Sequence, residues 1–149
     1  MTEVRFYHLT RTSLEQALPQ MLEKTLERGQ RAVVIAGSDE RAESLSASLW
    51  TYRDRSFLPH GTAQDGYGEL QPVWLTAKDE NPNGAQVLFL TDGASAQSIG
   101  DYGLCATLFD GTNDAAVAAA RAQWKDLKAA GHEVTYWQQD DAGRWSQKA

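Results

Sequence analysis

The sequence contains few of the residues that stabilise small secreted or metal-bound proteins. Among its 149 residues there is one cysteine, Cys105, so neither an internal disulfide nor a cysteine cage for a metal ion can form. Cys105 lies in an apolar run, and we expect a small buried hydrophobe. No run approaches the ~20 apolar residues of a membrane helix, and residues 1–5 lack a basic leader. We therefore expect a cytoplasmic protein that does not bind membranes.

Positive charge is also scarce. Lys and Arg number 14 against 20 Asp and Glu, which gives a net charge of −6 and a pI of about 5.0. A surface of this average sign repels a phosphate backbone, so we expect no direct binding of nucleic acid and contacts with proteins instead. Any local cluster of cations stands out against this background.

Motifs for catalysis and for phosphate binding are missing as well. Residues 35–39 have the form of a strand, a turn and a helix start, but no Gly-rich loop followed by Lys and Ser or Thr. The simpler interpretation is that Gly37 forms the turn and that Ser38 or Asp39 caps the helix. We also interpret Asp92 and Asp110, each at the end of an apolar run, as caps of the elements that follow them.

The three histidines are scattered, and the acidic pairs are sequence neighbours in helix starts or turns. We therefore expect no metal, no cofactor and no catalytic residue. The competing hypothesis is a small nucleotide- or phosphate-ligand-binding α/β enzyme, because open α/β sheets often bind such ligands at the carboxyl ends of their strands.

The sequence does contain alternating strands and helices. Apolar, β-branched runs predict strands at residues 4–9, 31–36, 72–75, 87–90, 104–109, 133–137 and 144–146. Helical spacing predicts helices from the capping box Thr12-Ser13-Leu14-Glu15 to Gly29, from Ser38 to Trp50, and from residues 110–113 to Gly131. Pro19 predicts a kink or a separate first turn. Residues 1–149 are therefore expected to form one α/β domain: a three-layer sandwich with a mostly parallel sheet, helices on both faces and an antiparallel edge hairpin.

Residues 49–61 place large apolar and aromatic groups in a loop where a polar sequence would be ordinary. Trp50 falls off the core stripe of its helix, which we predict to consist of Ala42, Leu45 and Leu49. We expect a partner to contact this loop. The alternative is that Phe57 packs beneath its own chain and that residues 59–61 form an ordinary turn.

The last helix is the second informative segment. Its apolar stripe is predicted to contain Val117, Ala120, Trp124 and Leu127, and its basic stripe Arg121, Lys125 and Lys128. Trp124 is either plain core beside cations that complement the helix dipole, or part of a receptor for an acidic peptide ending in an apolar residue.

These features together resemble a known family. The matching segments are Phe6-Tyr7, Arg31, Leu49-Trp50 with Ser56-Phe57-Leu58-Pro59-His60, and Arg121, Trp124 and Lys125 before Ala130-Gly131. They resemble the chi subunit of the bacterial DNA polymerase III holoenzyme over nearly the whole chain. Loop 61–70 and the tail after Trp145 depart from that pattern.

The resemblance implies a noncatalytic replication adaptor within a DNA-directed DNA polymerase complex. Its last helix would bind the acidic carboxyl-terminal tail of single-stranded-DNA-binding protein, through Arg121, Trp124 and Lys125, with Lys128 beside them. Its aromatic loop would bind the psi subunit of the clamp loader, or an equivalent, through Trp50, Phe57 and Leu58.

Overall fold

The structure is a computed structural model that describes residues 2–10, 12–51, 60–140, 142 and 144–149, with Trp50 and Thr51 described by their backbone alone. Seven strands are present in these residues: β1 (Glu3–Leu9), β2 (Ala32–Ile35), β3 (Val73–Thr76), β4 (Val87–Leu90), β5 (Leu104–Asp110), β6 (Glu133–Gln139) and β7 (Trp145–Gln147). They form one sheet in the order β3-β2-β4-β5-β1-β6-β7.

Every neighbouring pair in the sheet is parallel except β6 and β7, which form an antiparallel hairpin at one edge. In the centre, Phe6 of β1 lies between Thr107 of β5 and Tyr136 of β6. Strands β2, β3 and β4 are buried throughout, as their continuous apolar sequences predict for a sheet covered on both faces.

In the part of the chain that the structure describes, three α-helices cover the sheet: α1 (Leu14–Glu27), α2 (Asp39–Thr51) and α3 (Asp114–Ala129). Leu18 and Leu22 of α1 pack on one face together with Leu45 of α2, whereas Ala120 of α3 packs on the other. The predicted α/β class, three-layer arrangement and edge hairpin are therefore confirmed. Two short 3-10 helices, Gly68–Leu70 and Gln97–Asp101, were not predicted.

The capping box of α1 begins at Ser13, one residue later than the predicted Thr12. Ser13 is the N-cap, and its N–H donates to the Gln16 side chain at 2.9 Å. Thr12 is held elsewhere, because its N–H donates to the side chain of Gln139 in β6, a contact that local sequence does not reveal. The expected separate first turn is absent, since α1 continues through Pro19.

The buried core confirms the smaller expectations. Ala42, Leu45 and Leu49 of α2 are all buried, as their spacing predicts. Cys105 is fully buried, and this burial raises the pKa of its thiol to about 12. Within the described residues, no helix is both long and apolar enough to cross a membrane.

Candidate functional site

A pocket of about 350 Å³ lies between α3 and the three strands β5, β1 and β6. Its walls combine aromatic rings from the sheet with one face of the helix. The lining residues are Phe6, Phe109, Val117, Ala120, Arg121, Trp124, Lys125, Tyr136 and Ala149. The predicted residues Arg121, Trp124 and Lys125 thus lie together at one pocket.

Aromatic rings form the interior of this pocket because parallel pairing sets them side by side. Phe6 and Tyr136 are direct neighbours in register, and both point toward α3. Trp124 reaches them from the helix, with ring centroids 5.6 Å from Phe6 and 6.1 Å from Tyr136. Phe109 completes the cluster at 6.2 Å from Tyr136. Such edge-to-face contacts favour a fixed ring geometry.

The hydroxyl of Tyr136 is positioned by His8 of β1. It forms a hydrogen bond with His8 Nδ1, and the His8 ring also packs on Phe109, with centroids 5.0 Å apart. Burial raises the pKa of Tyr136, against a smaller opposing effect of the Arg121 charge, so the group remains a phenol at neutral pH. The orientation of one pocket wall therefore depends on a residue outside the pocket.

Cations form the rim of the pocket. Arg121 and Lys125 are exposed and lie one turn apart on α3, and no Asp or Glu is present among the described lining residues. Lys128 lies outside the lining, with its Nζ 5.8 Å from the ring centroid of Trp124. The combination of an apolar interior and a cationic rim suits a ligand that has an apolar group beside negative charge.

The structure gives the position of Trp124, whereas its role in binding a peptide stays a prediction. Trp124 is half-buried and packs against the core on the α3 face, and it is also a wall of the pocket. The sequence did not reveal the contribution of Phe6, Phe109 and Tyr136. The only available signal was their aromatic character at alternate strand positions, and that signal does not say which strands are neighbours.

The aromatic loop lies largely outside the described residues. Phe57 and Leu58 fall within residues 52–59, which the structure does not describe, and for Trp50 only the helical backbone is given. After the gap, Gly61 is bridged to Trp74 at the β3 edge of the sheet. The expected partner surface at Trp50 thus remains a prediction.

A larger crevice, of about 770 Å³, lies at the carboxyl ends of β1 and β5, where a nucleotide would bind in related folds. Among its described lining residues the one cation is Arg41, which is bound to Glu15 at 2.9 Å and to Asp92 at 3.1 Å, so this charge is already compensated. Among the described residues, no group of His, Cys, Asp and Glu is arranged to hold a metal ion.

The same region tests the predicted caps. Ser38 caps α2 as expected, since its Oγ accepts the N–H of Arg41 at 3.1 Å. Asp92 does not cap the segment that follows it, because its carboxylate accepts from Gly37 N–H and from Arg41. Asp110 accepts from Thr112 in the turn before α3.

The N-cap of α3 is a different residue, Asn113, whose side chain accepts the N–H of Ala116. The predicted cap of this helix is therefore wrong: the capping residue is Asn113 and not Asp110.

The fold and pocket define a three-layer α/β protein with an aromatic, cation-rimmed pocket beside its last helix and no phosphate loop in its sequence. The family model described as DNA polymerase III chi subunit, HolC, matches residues 1–135. The chain belongs to this family, which confirms the resemblance seen in the sequence.

A curated relative agrees with this assignment. The protein named "Probable DNA polymerase III subunit chi" of Rickettsia prowazekii (strain Madrid E) is 30% identical over 105 residues. The match covers 68% of this chain and 64% of the relative, so it spans less than two thirds of the relative's length.

Proposed function

We propose that this chain is a noncatalytic adaptor of the replicative polymerase that acts in the cytoplasm as one domain. It binds the acidic carboxyl-terminal tail of single-stranded-DNA-binding protein and links it to the clamp loader through psi. The observation that carries the proposal is the pocket beside α3, in which aromatic walls lie directly below the exposed cations Arg121 and Lys125.

The pocket has the chemistry required for such a tail. A terminal Phe side chain would enter the pocket and pack against the rings of Trp124 and Tyr136, where its burial contributes about 1.5–3 kcal/mol. Carboxylates of the tail would meet Arg121 and Lys125, and charged hydrogen bonds contribute about 1.5–3 kcal/mol each. Ordering a flexible peptide offsets much of this gain, so one tail binds modestly.

Several tails presented together would strengthen the link. A coat of single-stranded-DNA-binding protein offers many tails at high local concentration, so that a tethered polymerase rebinds rapidly after each dissociation. A second contact, at Trp50, Phe57 and Leu58, would hold psi and so connect the coat to the clamp loader.

Charge reversal on α3 tests the tail site. Arg121→Glu and Lys125→Glu should each weaken binding of an acidic, Phe-ending peptide at least tenfold, or about 1.4 kcal/mol, in calorimetric titration. Removing the terminal Phe from the peptide should weaken binding to the parent chain as well, and added salt should do the same.

Lys78→Glu is the matched control, because it makes the same charge change at an exposed residue away from the pocket. It should leave the affinity within about twofold of the parent. If Arg121→Glu and Lys125→Glu bind the peptide as the parent does, the tail does not bind at this pocket.

Trp50→Ala tests the second contact. Since Trp50 lies off the stripe of Ala42, Leu45 and Leu49, its replacement should cost well under the ~3–5 kcal/mol typical of a buried aromatic. It should nevertheless abolish capture of psi in a pull-down with purified partner. A large loss of unfolding free energy would instead place Trp50 in the core.

A further inference from the structure

The sheet face opposite α3 carries a second aromatic cluster, at the edge formed by β1, β6 and β7. Side chains alternate along a strand, so Tyr136 faces α3 whereas its neighbour Trp137 faces the side of α1. Tyr7 is the register partner of Trp137 in β1, and Trp145 of β7 contacts Tyr7 and lines the same groove. All three rings are half-buried.

The three rings and α1 enclose a groove of about 240 Å³. Tyr7 and Trp137 are stacked, with centroids 6.3 Å apart and an interplanar angle of 28°. Trp145 meets Tyr7 edge-on at 4.9 Å. The groove is small for a drug-sized ligand, but its volume suits one planar ring that packs against this cluster.

Cations surround this groove. Lys24 and Arg28 are exposed and lie one turn apart at the end of α1, about 6 Å between their Cβ atoms by helical geometry. Arg5 places its guanidinium 5.6 Å from the ring centroid of Trp137 and also pairs with Glu3 at 2.8 Å. Among the described lining residues there is no Asp or Glu.

We propose that this groove binds a short stretch of single-stranded nucleic acid. Bases would stack on Trp137 and Trp145, and phosphates would contact Lys24 and Arg28. Aromatic rings bordered by cations are the arrangement by which proteins hold single strands without reading their sequence. The net charge of −6 argues against binding by the average surface, whereas this groove is a local exception of opposite sign.

An acidic peptide is the competing occupant, and the observations favour it less. A peptide with acidic but no aromatic side chains could pair with Lys24 and Arg28, but it has no ring to stack on Trp137 or Trp145. A nucleotide supplies both a planar base and a phosphate within one unit, and so uses both halves of the groove.

Fluorescence anisotropy with a labelled oligo-dT of roughly 15 nucleotides tests the proposal, using the full chain at about 50 mM salt. The double variant Lys24→Glu with Arg28→Glu should bind at least tenfold more weakly than the parent. Lys78→Glu, an equally exposed cation away from the groove, should stay within about twofold. Binding of the parent should weaken with salt, with a logarithmic slope of about −1.4 to −2.1 for two or three phosphate contacts.

Stacking is tested separately from charge. Trp137→Leu removes the ring and should weaken oligonucleotide binding at least threefold, whereas Trp137→Phe keeps a ring and should bind within about twofold of the parent. Both variants are first shown by circular dichroism and urea unfolding to be folded.

Three results would overturn the proposal. The first is the absence of oligonucleotide binding at protein concentrations up to about 1 mM. The second is unchanged binding by the double charge variant. The third is a poly-Glu peptide that binds at Lys24 and Arg28 more tightly than the oligonucleotide does, which would assign the groove to an acidic peptide.

Discussion

At the residue scale, Gly111 is required by a close contact. Its N–H donates to the carbonyl of Leu9 at 2.8 Å, which holds the turn after β5 beside the end of β1. A Cβ at this position would lie 1.9 Å from the ring of His8 and 2.9 Å from the oxygen of Leu9. His8 in turn holds the hydroxyl of Tyr136. The absence of one methyl group therefore fixes a wall of the α3 pocket.

Gly111→Ala should displace the His8 ring and so release Tyr136. We expect a loss of about 1–3 kcal/mol in the free energy of unfolding, the usual cost of overpacking, together with weaker binding of the Phe-ending peptide. Urea unfolding and calorimetry measure the two effects. Gly100→Ala is the control, because a Cβ there meets no atom within 4 Å, and it should change stability by no more than about 0.5 kcal/mol. Equal effects from the two substitutions would show that the His8 contact is unimportant.

At the scale of elements, α3 joins the core to the pocket through Trp124. Trp124→Ala should lower the unfolding free energy by about 2–4 kcal/mol, somewhat less than for a fully buried aromatic, because this ring is half-buried. It should also lower peptide affinity, whereas Trp124→Phe should preserve most of both properties. Chemical unfolding and titration of the folded variants distinguish the roles. Loss of stability with unchanged affinity would make Trp124 a core residue only.

Local patterns predicted the elements well, and the reasons are visible in particular residues. The stripe of Leu45 and Leu49 and the capping of α2 by Ser38 depend on neighbours in sequence, and both predictions are confirmed. The cap of α1 was misplaced by one residue because Thr12 is bound to Gln139, far away along the chain. The residues around Thr12 give no signal from which such a distant partner could be predicted.

For the same reason, the helix residues of the candidate site could be predicted from the sequence, whereas its strand residues could not. Arg121, Trp124 and Lys125 lie on one helix, so their spacing in sequence is enough to predict that they are neighbours. Phe6 and Tyr136 are neighbours only because β1 pairs with β6, a choice of strand order that no short segment encodes. The aromatic walls of the pocket therefore required the structure.

At the scale of the whole molecule, the order of strands makes the sheet depend on distant segments. β1 lies between β5 and β6, so both of its partners are supplied by the second half of the chain. A fragment of residues 1–103 lacks both partners and should show no cooperative urea unfolding by circular dichroism, unlike the full chain. Cooperative unfolding of that fragment would show that β2, β3 and β4 form a stable unit without β1 pairing.

The same strand order determines when β1 can pair with its neighbours during protein synthesis. The partner of His8 at Tyr136 is made 128 residues later, which at roughly 5–20 residues per second means about 6–26 seconds of translation. The first partner of β1 is β5, made about 101 residues after it, because Val4 pairs with Cys105 and Phe6 with Thr107. Until β5 is made, Val4 and Phe6, fully buried in the finished sheet, have no strand to pair with. The emerging chain therefore exposes the apolar side chains of β1 on the ribosome for most of its synthesis, so its yield in the cell should depend on the factors that shield this strand until β5 is made.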